Sequence, residues 1–326
     1  MQESPHAVRL PSLRSGLWLY VVVFVATEAV TDRLRNNFEL NFLRLITAIF
    51  FAFGFTILAA QITRKQLIDT YGRQPFALPL LASVAIGVAA WLPASWLTFV
   101  ANYLLDSAFG PRGIPQSVTS GENVAGVAVS LGVLVPFCYG ALFFAFIHSS
   151  GRALGKGTSA FLTAILYGFF ALVSTDFGFS GIVGALLIGT LAAVMVNVME
   201  SAWYGIAVTV GYSLVRPLTE GTRFETDLFA YLTEDISLFN LRWLFAVAIT
   251  LFAAFALLQL VRVLRTAPPQ SPPVPHLGNF WQVPLIIILI SVFAISFSEF
   301  NRRAEIGALL QSPTDTSRST VPPTGP

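Results

Sequence analysis

The chain has 326 residues, 55% of them hydrophobic and 11% charged, with a mean hydropathy of +0.72. A soluble domain carries about 25% charged residues, so water is excluded as the principal solvent. The net charge of +2 offers no basic patch for nucleic acid, and the single cysteine, Cys138, excludes an intramolecular disulfide.

A helix needs roughly 20 predominantly apolar residues to cross a bilayer. Residues 1–15 are polar, and a first span is expected at about 16–31, following Arg9 and Arg14 and containing Glu28. A basic flank before a short apolar run also fits a cleaved signal peptide. The charge inside the run and the many spans behind it favour a retained helix. Further spans are expected at about 42–62, 76–100, 126–148, 157–175, 181–199, 201–215, 241–261 and 281–299, eight or nine in all. The runs are too long for barrel strands and lack their alternation. The expected fold class is all-α: a polytopic transmembrane helical protein with a multi-span domain over 16–265.

Between spans, 106–124 is a Gly/Pro/Ser loop. The segment 217–240 is the largest acidic loop, and Phe224, Leu228, Phe229 and Leu232 sit at helical spacing within it, predicting a short interfacial helix. A proline-rich linker, 266–280, tends to polyproline II. A final helix is expected at 281–300 and a disordered tail at 301–326. The loops with Arg64, Lys65 and Arg73, with Arg152 and Lys156, and with Arg262 and Arg265 share one side if all nine spans cross. By the excess of basic residues in cytoplasmic loops this puts the N-terminus inside, with Arg33, Arg35, Arg216, Arg223 and Arg242 weighing against it. The expected location is a bacterial cytoplasmic membrane.

Ionisable groups within a bilayer are costly and are functional candidates. Glu28 is the deepest; it shares a helix face with Asp32 and has Arg33, Arg35 or a neighbouring helix as prospective partners. Asp106, Asp176, Glu200 and His148 fall at helix ends, where they read as interfacial anchors or caps. Cys138 reads as a small packing residue. The chain has no G-x-S-x-G, no H-E-x-x-H and no phosphate-binding loop of the required spacing. "GRALGKGTS" at 151–159 reads as a tight turn with the chemistry to receive a lipid phosphate.

The stretch Pro136, Phe137, Cys138, Tyr139, Gly140, Ala141, Leu142, Phe143, Phe144 is followed by "FALVS" at Phe170–Ser174 and by a small-residue helix, a turn and another helix. This run, about 131 to 215, resembles the core of the CPBP (Abi, CAAX-protease-like) intramembrane metalloprotease family. The first motif of that family is a proline, two adjacent glutamates and a terminal Phe-Arg. Here Pro136 and Phe143 match, while Tyr139 and Gly140 stand at the glutamates and Phe144 at the arginine. Its second motif, F-x-x-x-H, falls on Phe170 and Ser174, and its third, H-x-x-x-N, on Thr209 and Ser213.

The resemblance implies a CPBP-like core at about 126–215 with a degenerate site of Tyr139, Gly140, Phe144, Ser174, Thr209 and Ser213, and no catalytic residue, metal or cofactor. Zinc catalysis needs about three N, O or S ligands and an open position, and these side chains are poor ligands. His148 lies roughly 13 Å along the helix axis from Tyr139, too far to substitute. Ser201, Gly205, Thr209 and Ser213 make a small-residue stripe, with Ala185 and Gly189 a similar pair on the preceding helix. Such a stripe reads first as a packed seam and second as the edge of a polar pocket of Tyr139, Ser174, Thr209 and Ser213. The expected function is a non-catalytic membrane protein that binds or scaffolds a lipid, a peptide or a membrane partner. The alternatives are an intramembrane protease with an atypical site and a small-molecule transporter using Glu28.

Overall fold

The computed structural model describes residues 11–34, 38, 40–63, 70–110, 124–174, 178–219 and 277–311. Eight long helices account for nearly all of them: α1 (Leu13–Leu34), α2 (Asn41–Ile62), α3 (Ala77–Phe109), α4 (Ala125–Leu154), α5 (Lys156–Ser174), α6 (Gly181–Met199), α7 (Ala202–Thr219) and α8 (Gln282–Gln311). No strand occurs among the described residues. Seven helices are long and apolar enough to cross a membrane, and the protein is a multi-pass integral membrane protein. Its outward faces carry large bare apolar side chains, among them Phe50 (63% exposed), Leu78 (68%), Phe161 (67%) and Phe293 (73%), which lipid rather than water accommodates.

The eighth helix, α7, has 18 residues with Arg216 and Pro217 near its end. It falls outside the seven that are long and apolar enough to cross, yet it is among the most enclosed. Ala202, Tyr204, Ile206, Ala207, Val208 and Thr209 are all buried between α3, α4 and α6.

Gly87 of α3 lies against the Val208 carbonyl oxygen of α7, and Gly211 of α7 against the Val84 carbonyl oxygen of α3. Each helix thus offers a residue without Cβ at the point where the other's backbone arrives. This is how membrane helices gain close packing without a hydrophobic driving force between them. The expected stripe contributes as well. A Cβ on Gly205 would lie 2.6 Å from Val196 and 3.0 Å from Phe144, and one on Gly189 would lie 3.1 Å from Tyr167.

Helices α2 and α4 contain wide π-type turns at Ala48–Gly54, Ser130–Leu134 and Ala141–Ile147. Two of them carry almost the same residues, Ala-Ile-Phe-Phe-Ala-Phe and Ala-Leu-Phe-Phe-Ala-Phe. An i→i+5 turn inserts a residue and rotates the face that follows. In α4 all seven residues of the Ala141–Ile147 turn are buried, and in α2 only Ala48 and Ala52 are.

An aromatic core sits where α1, α4 and α5 meet. Phe143 lies 5.9 Å from Tyr20, 5.1 Å from Tyr167 and 5.4 Å from Phe170, all edge-on. Phe24 and Phe170 are 6.2 Å apart. The Tyr20 hydroxyl, buried on α1, donates to the Leu166 carbonyl of α5 at 3.0 Å, so a polar group inside the core is satisfied across the interface.

The bundle has two ends. At the near end Gly16 touches Ser150, Gly72 bridges to Ser201, Asn197 donates to the Lys156 carbonyl at 2.8 Å, and the Arg14 amide donates to Leu277 at 3.1 Å. At the far end Arg303 of α8, 1% exposed, is held by Asp106 and Asn102 of α3 and by Glu299. Glu299 in turn accepts the Phe179 amide at 2.8 Å.

That far-end cluster explains where the helices outrun the expected spans. α3 runs to Phe109 instead of about 100, and α8 to Gln311 instead of about 300. Residues 301–311, read from sequence as tail, are therefore helical. Arg303 among them is partnered across two helices, which anchors α8 where its apolar run has ended. The span expected at 241–261, the interfacial helix within 217–240, the linker up to residue 276 and the chain beyond residue 311 lie outside the described residues, as do 1–10 and 111–123.

Candidate functional site

The positions singled out by sequence lie on α4, α5 and α7, and the structure treats them differently. Tyr139 is 8% exposed, its ring 5.0 Å edge-on from Phe170, and its buried hydroxyl faces the Thr47 hydroxyl without forming a well-aligned hydrogen bond. Thr47 and the Arg44 guanidinium of α2 are the neighbours of that hydroxyl. Gly140 faces α7, where a Cβ would lie 2.5 Å from Ile206. Phe144, 1% exposed, packs 5.7 Å from Tyr167. The Thr209 hydroxyl donates back into its own helix, to Ile206 at 2.9 Å, so it presents no donor to a neighbour. Ser174 ends α5 and Ser213 lies on α7, both half-buried. Among the described residues no hydrogen bond joins Tyr139, Ser174, Thr209 and Ser213.

The aromatic core forms a floor, and the next helical turn toward the far end forms a polar layer above it. Thr27 follows Phe24 on the core face of α1, and Ser174 follows Phe170 on α5. Tyr139 precedes Phe143 on the opposed helix α4. The Thr27 hydroxyl is 1% exposed as a residue and has no hydrogen-bond partner. Glu28 is half-buried beside Thr27, its charged neighbour is Asp32, and among the described residues it forms no ion pair with Arg33 or any other cation. Arg44 and Thr47 were not singled out from sequence. The signal was present: Arg44 is an isolated cation within a span, which by itself marks a candidate.

His148 has a different role. It is 1% exposed, with Nε2 3.0 Å from Asn197 Oδ1 and Nδ1 3.3 Å from Thr163 Oγ1. The Asn197 amide donates to the Lys156 carbonyl, which turns its oxygen toward the ring, so Nε2 is assigned as a donor. Ser159 donates to the His148 carbonyl at 2.7 Å and Thr163 to the Ser159 carbonyl at 2.8 Å. Nε2 is thus engaged with α6 while Nδ1 faces the Thr163 hydroxyl of α5, and the imidazole packs α4, α5 and α6 together at the near end.

Beside it, Glu200 stands in the left-handed turn between α6 and α7 (φ 52°). Lys156 lies 3.2 Å and Arg73 3.9 Å from its carboxylate, and Arg152 is in electrostatic range. Tyr71, in the connection before Arg73, stacks 4.8 Å from Trp203. Burial pushes its phenol up to about 12, so it adds no charge near neutral pH. Glu200 was read as an interfacial anchor, and the ion pairs give it that role. Cys138 is buried and free.

No family model, no curated protein and no solved structure matches this chain.

Proposed function

We propose that the protein is a non-hydrolytic binding protein of the bilayer, a degenerate relative of the CPBP intramembrane proteases, that holds the polar group of an amphiphile at the layer above its aromatic core. The observation that carries this reading is a pair of buried hydroxyls: Thr27 has no hydrogen-bond partner, and Tyr139 has no well-aligned one, with only the Thr47 hydroxyl beside it. An unsatisfied hydroxyl in a low-dielectric interior costs about 1–3 kcal/mol. A ligand oxygen or nitrogen removes that cost, and Arg44 and Thr47 beside Tyr139 favour a carbonyl or an anionic group. Hydrolysis is disfavoured by the same packing, because Phe143, Phe144 and Phe170 fill the space in which a water would have to be activated. The basic residues Arg73, Arg152 and Lys156 at the near end support a cytoplasmic near end, and with it a cytoplasmic N-terminus.

Lipid extraction from the purified protein, followed by mass spectrometry, tests the binding reading. The wild type is expected to retain an amphiphile near stoichiometry, and Tyr139→Phe to lose it by about tenfold while keeping its melting temperature. Equal retention by both proteins would sink the assignment to Tyr139. Elemental mass spectrometry tests the absence of metal chemistry. The expected result is no bound zinc, iron or cobalt above a blank. Near-stoichiometric metal that a Ser174→Ala/Thr209→Ala variant loses would restore the protease alternative.

A further inference from the structure

At the near end, three cations gather on one acid. Glu200, its side chain 13% exposed, is approached by Lys156 and Arg73, and Arg152 stands within its electrostatic range. Among the described residues the cluster brings three cations to one carboxylate. Its cations are not equally committed. Lys156 is 68% exposed on the side chain, and the buried Nε of Arg152 has no hydrogen-bond partner. Beside them the chain is open: Gly155, Lys156, Gly157 and Thr158 are exposed, and an added Cβ on Gly155 or Gly157 would meet nothing within 4 Å. At the far end the arrangement is the reverse: Arg303 is shared by the two carboxylates Asp106 and Glu299. The place is also right. Arg152 and Lys156 flank the junction where α4 ends and α5 begins, at the depth of lipid headgroups, and Tyr139 is about 20 Å away along α4.

We propose that Arg73, Arg152 and Lys156 form a binding site for the phosphodiester headgroup of an anionic lipid, at the junction of α4 and α5. Glu200 holds the cations in place but balances one charge only. The phosphodiester supplies a second negative charge and acceptor oxygens for the Arg152 Nε–H and the Lys156 ammonium. The exposed first turn of α5 adds backbone donors on the same side. The site is independent of the Tyr139 layer, and its residues are untouched by the Tyr139→Phe test.

Native mass spectrometry of the full chain, released from detergent with added phosphatidylglycerol or phosphatidylcholine, reads the proposal directly. Phosphatidylglycerol is expected to stay bound in preference to phosphatidylcholine. Lys156→Gln, at an exposed side chain that leaves the fold alone, is expected to weaken retention about fivefold, and Arg152→Gln/Lys156→Gln about thirtyfold. Arg302→Gln, an exposed cation near the far end, is expected to leave it unchanged. Retention of both lipids alike, or an equal loss in Arg302→Gln, would overturn the proposal. So would displacement of the lipid by millimolar inorganic phosphate, which would assign the cations to a soluble anion instead.

Discussion

Arg303→Met is expected to destabilise the protein by about 3 kcal/mol, the low end of the range for breaking a buried ion pair. The guanidinium is 1% exposed and donates to Asp106, to Asn102 at 3.2 Å and to Glu299 at 3.0–3.1 Å. Removing it takes from Glu299, 11% exposed, the cation that sits 3.0 Å from its carboxylate, while the Phe179 amide still donates to it. Asp106 is 36% exposed and recovers part of its loss through solvent, which is why the low end applies. The cost falls on the attachment of α8, since that helix otherwise meets the bundle through few buried side chains, Ile288, Val292 and Ser296 among them. Arg303→Lys is expected to recover little, because a point cation cannot serve three acceptors in a fork. Arg303→Met with Glu299→Gln is expected to regain more, because the stranded charge is gone. Chemical denaturation in mild detergent measures all three. A change within about 0.5 kcal/mol for Arg303→Met, the level of an ordinary surface substitution, would show that the cluster does not hold α8.

Gly211→Val is expected to abolish a monodisperse fold, and Gly211→Ala to cost at least about 3 kcal/mol, the upper end for overpacking. An added Cβ would collide with the Val84 carbonyl oxygen, and its carbon and Cα lie 2.9 and 3.0 Å away. These are backbone atoms of a continuous helix. No rotamer change relieves the contact, so α3 and α7 must separate along their length. Gly87→Ala is expected to act the same way, from the opposite side, against Val208. Gly126→Ala is the contrasting case. An added Cβ there meets nothing within 4 Å, and the higher helix propensity of alanine is expected to raise stability by up to about 1 kcal/mol. Size-exclusion profiles after solubilisation, with melting curves, separate the three. A monodisperse Gly211→Val with an unchanged melting temperature would refute the proposed closeness of α3 and α7.

Tyr139, Gly140 and Phe144 were singled out through the resemblance to the CPBP motif after Pro136, and the structure puts all three at helix contacts. The isolated Arg44 was visible too, since a cation inside an apolar run marks itself. The orphaned hydroxyl of Thr27 was not visible. A hydroxyl in a helix has several routes to satisfaction, and Thr209, two residues from Gly211, takes the local one. Which route is used depends on what the neighbouring helix brings, and sequence does not carry that.

The sequence alone determined the solvent, the helical class and the approximate places where the chain crosses. Those properties follow from transfer of apolar side chains into hydrocarbon and from the need to close every backbone hydrogen bond locally within it, and both are additive along the chain. Tertiary structure decided which helix is central, which glycines are indispensable and where the helices stop. The weakly apolar α7 is enclosed because two glycines let α3 reach it. α3 and α8 run past their apolar windows because Asn102, Asp106, Glu299 and Arg303 satisfy one another. Each of these is a property of a pair of segments far apart in the chain. A hydropathy window reads one segment at a time, so it registers the cost of a buried charge or a bare glycine and misses the partner that offsets it.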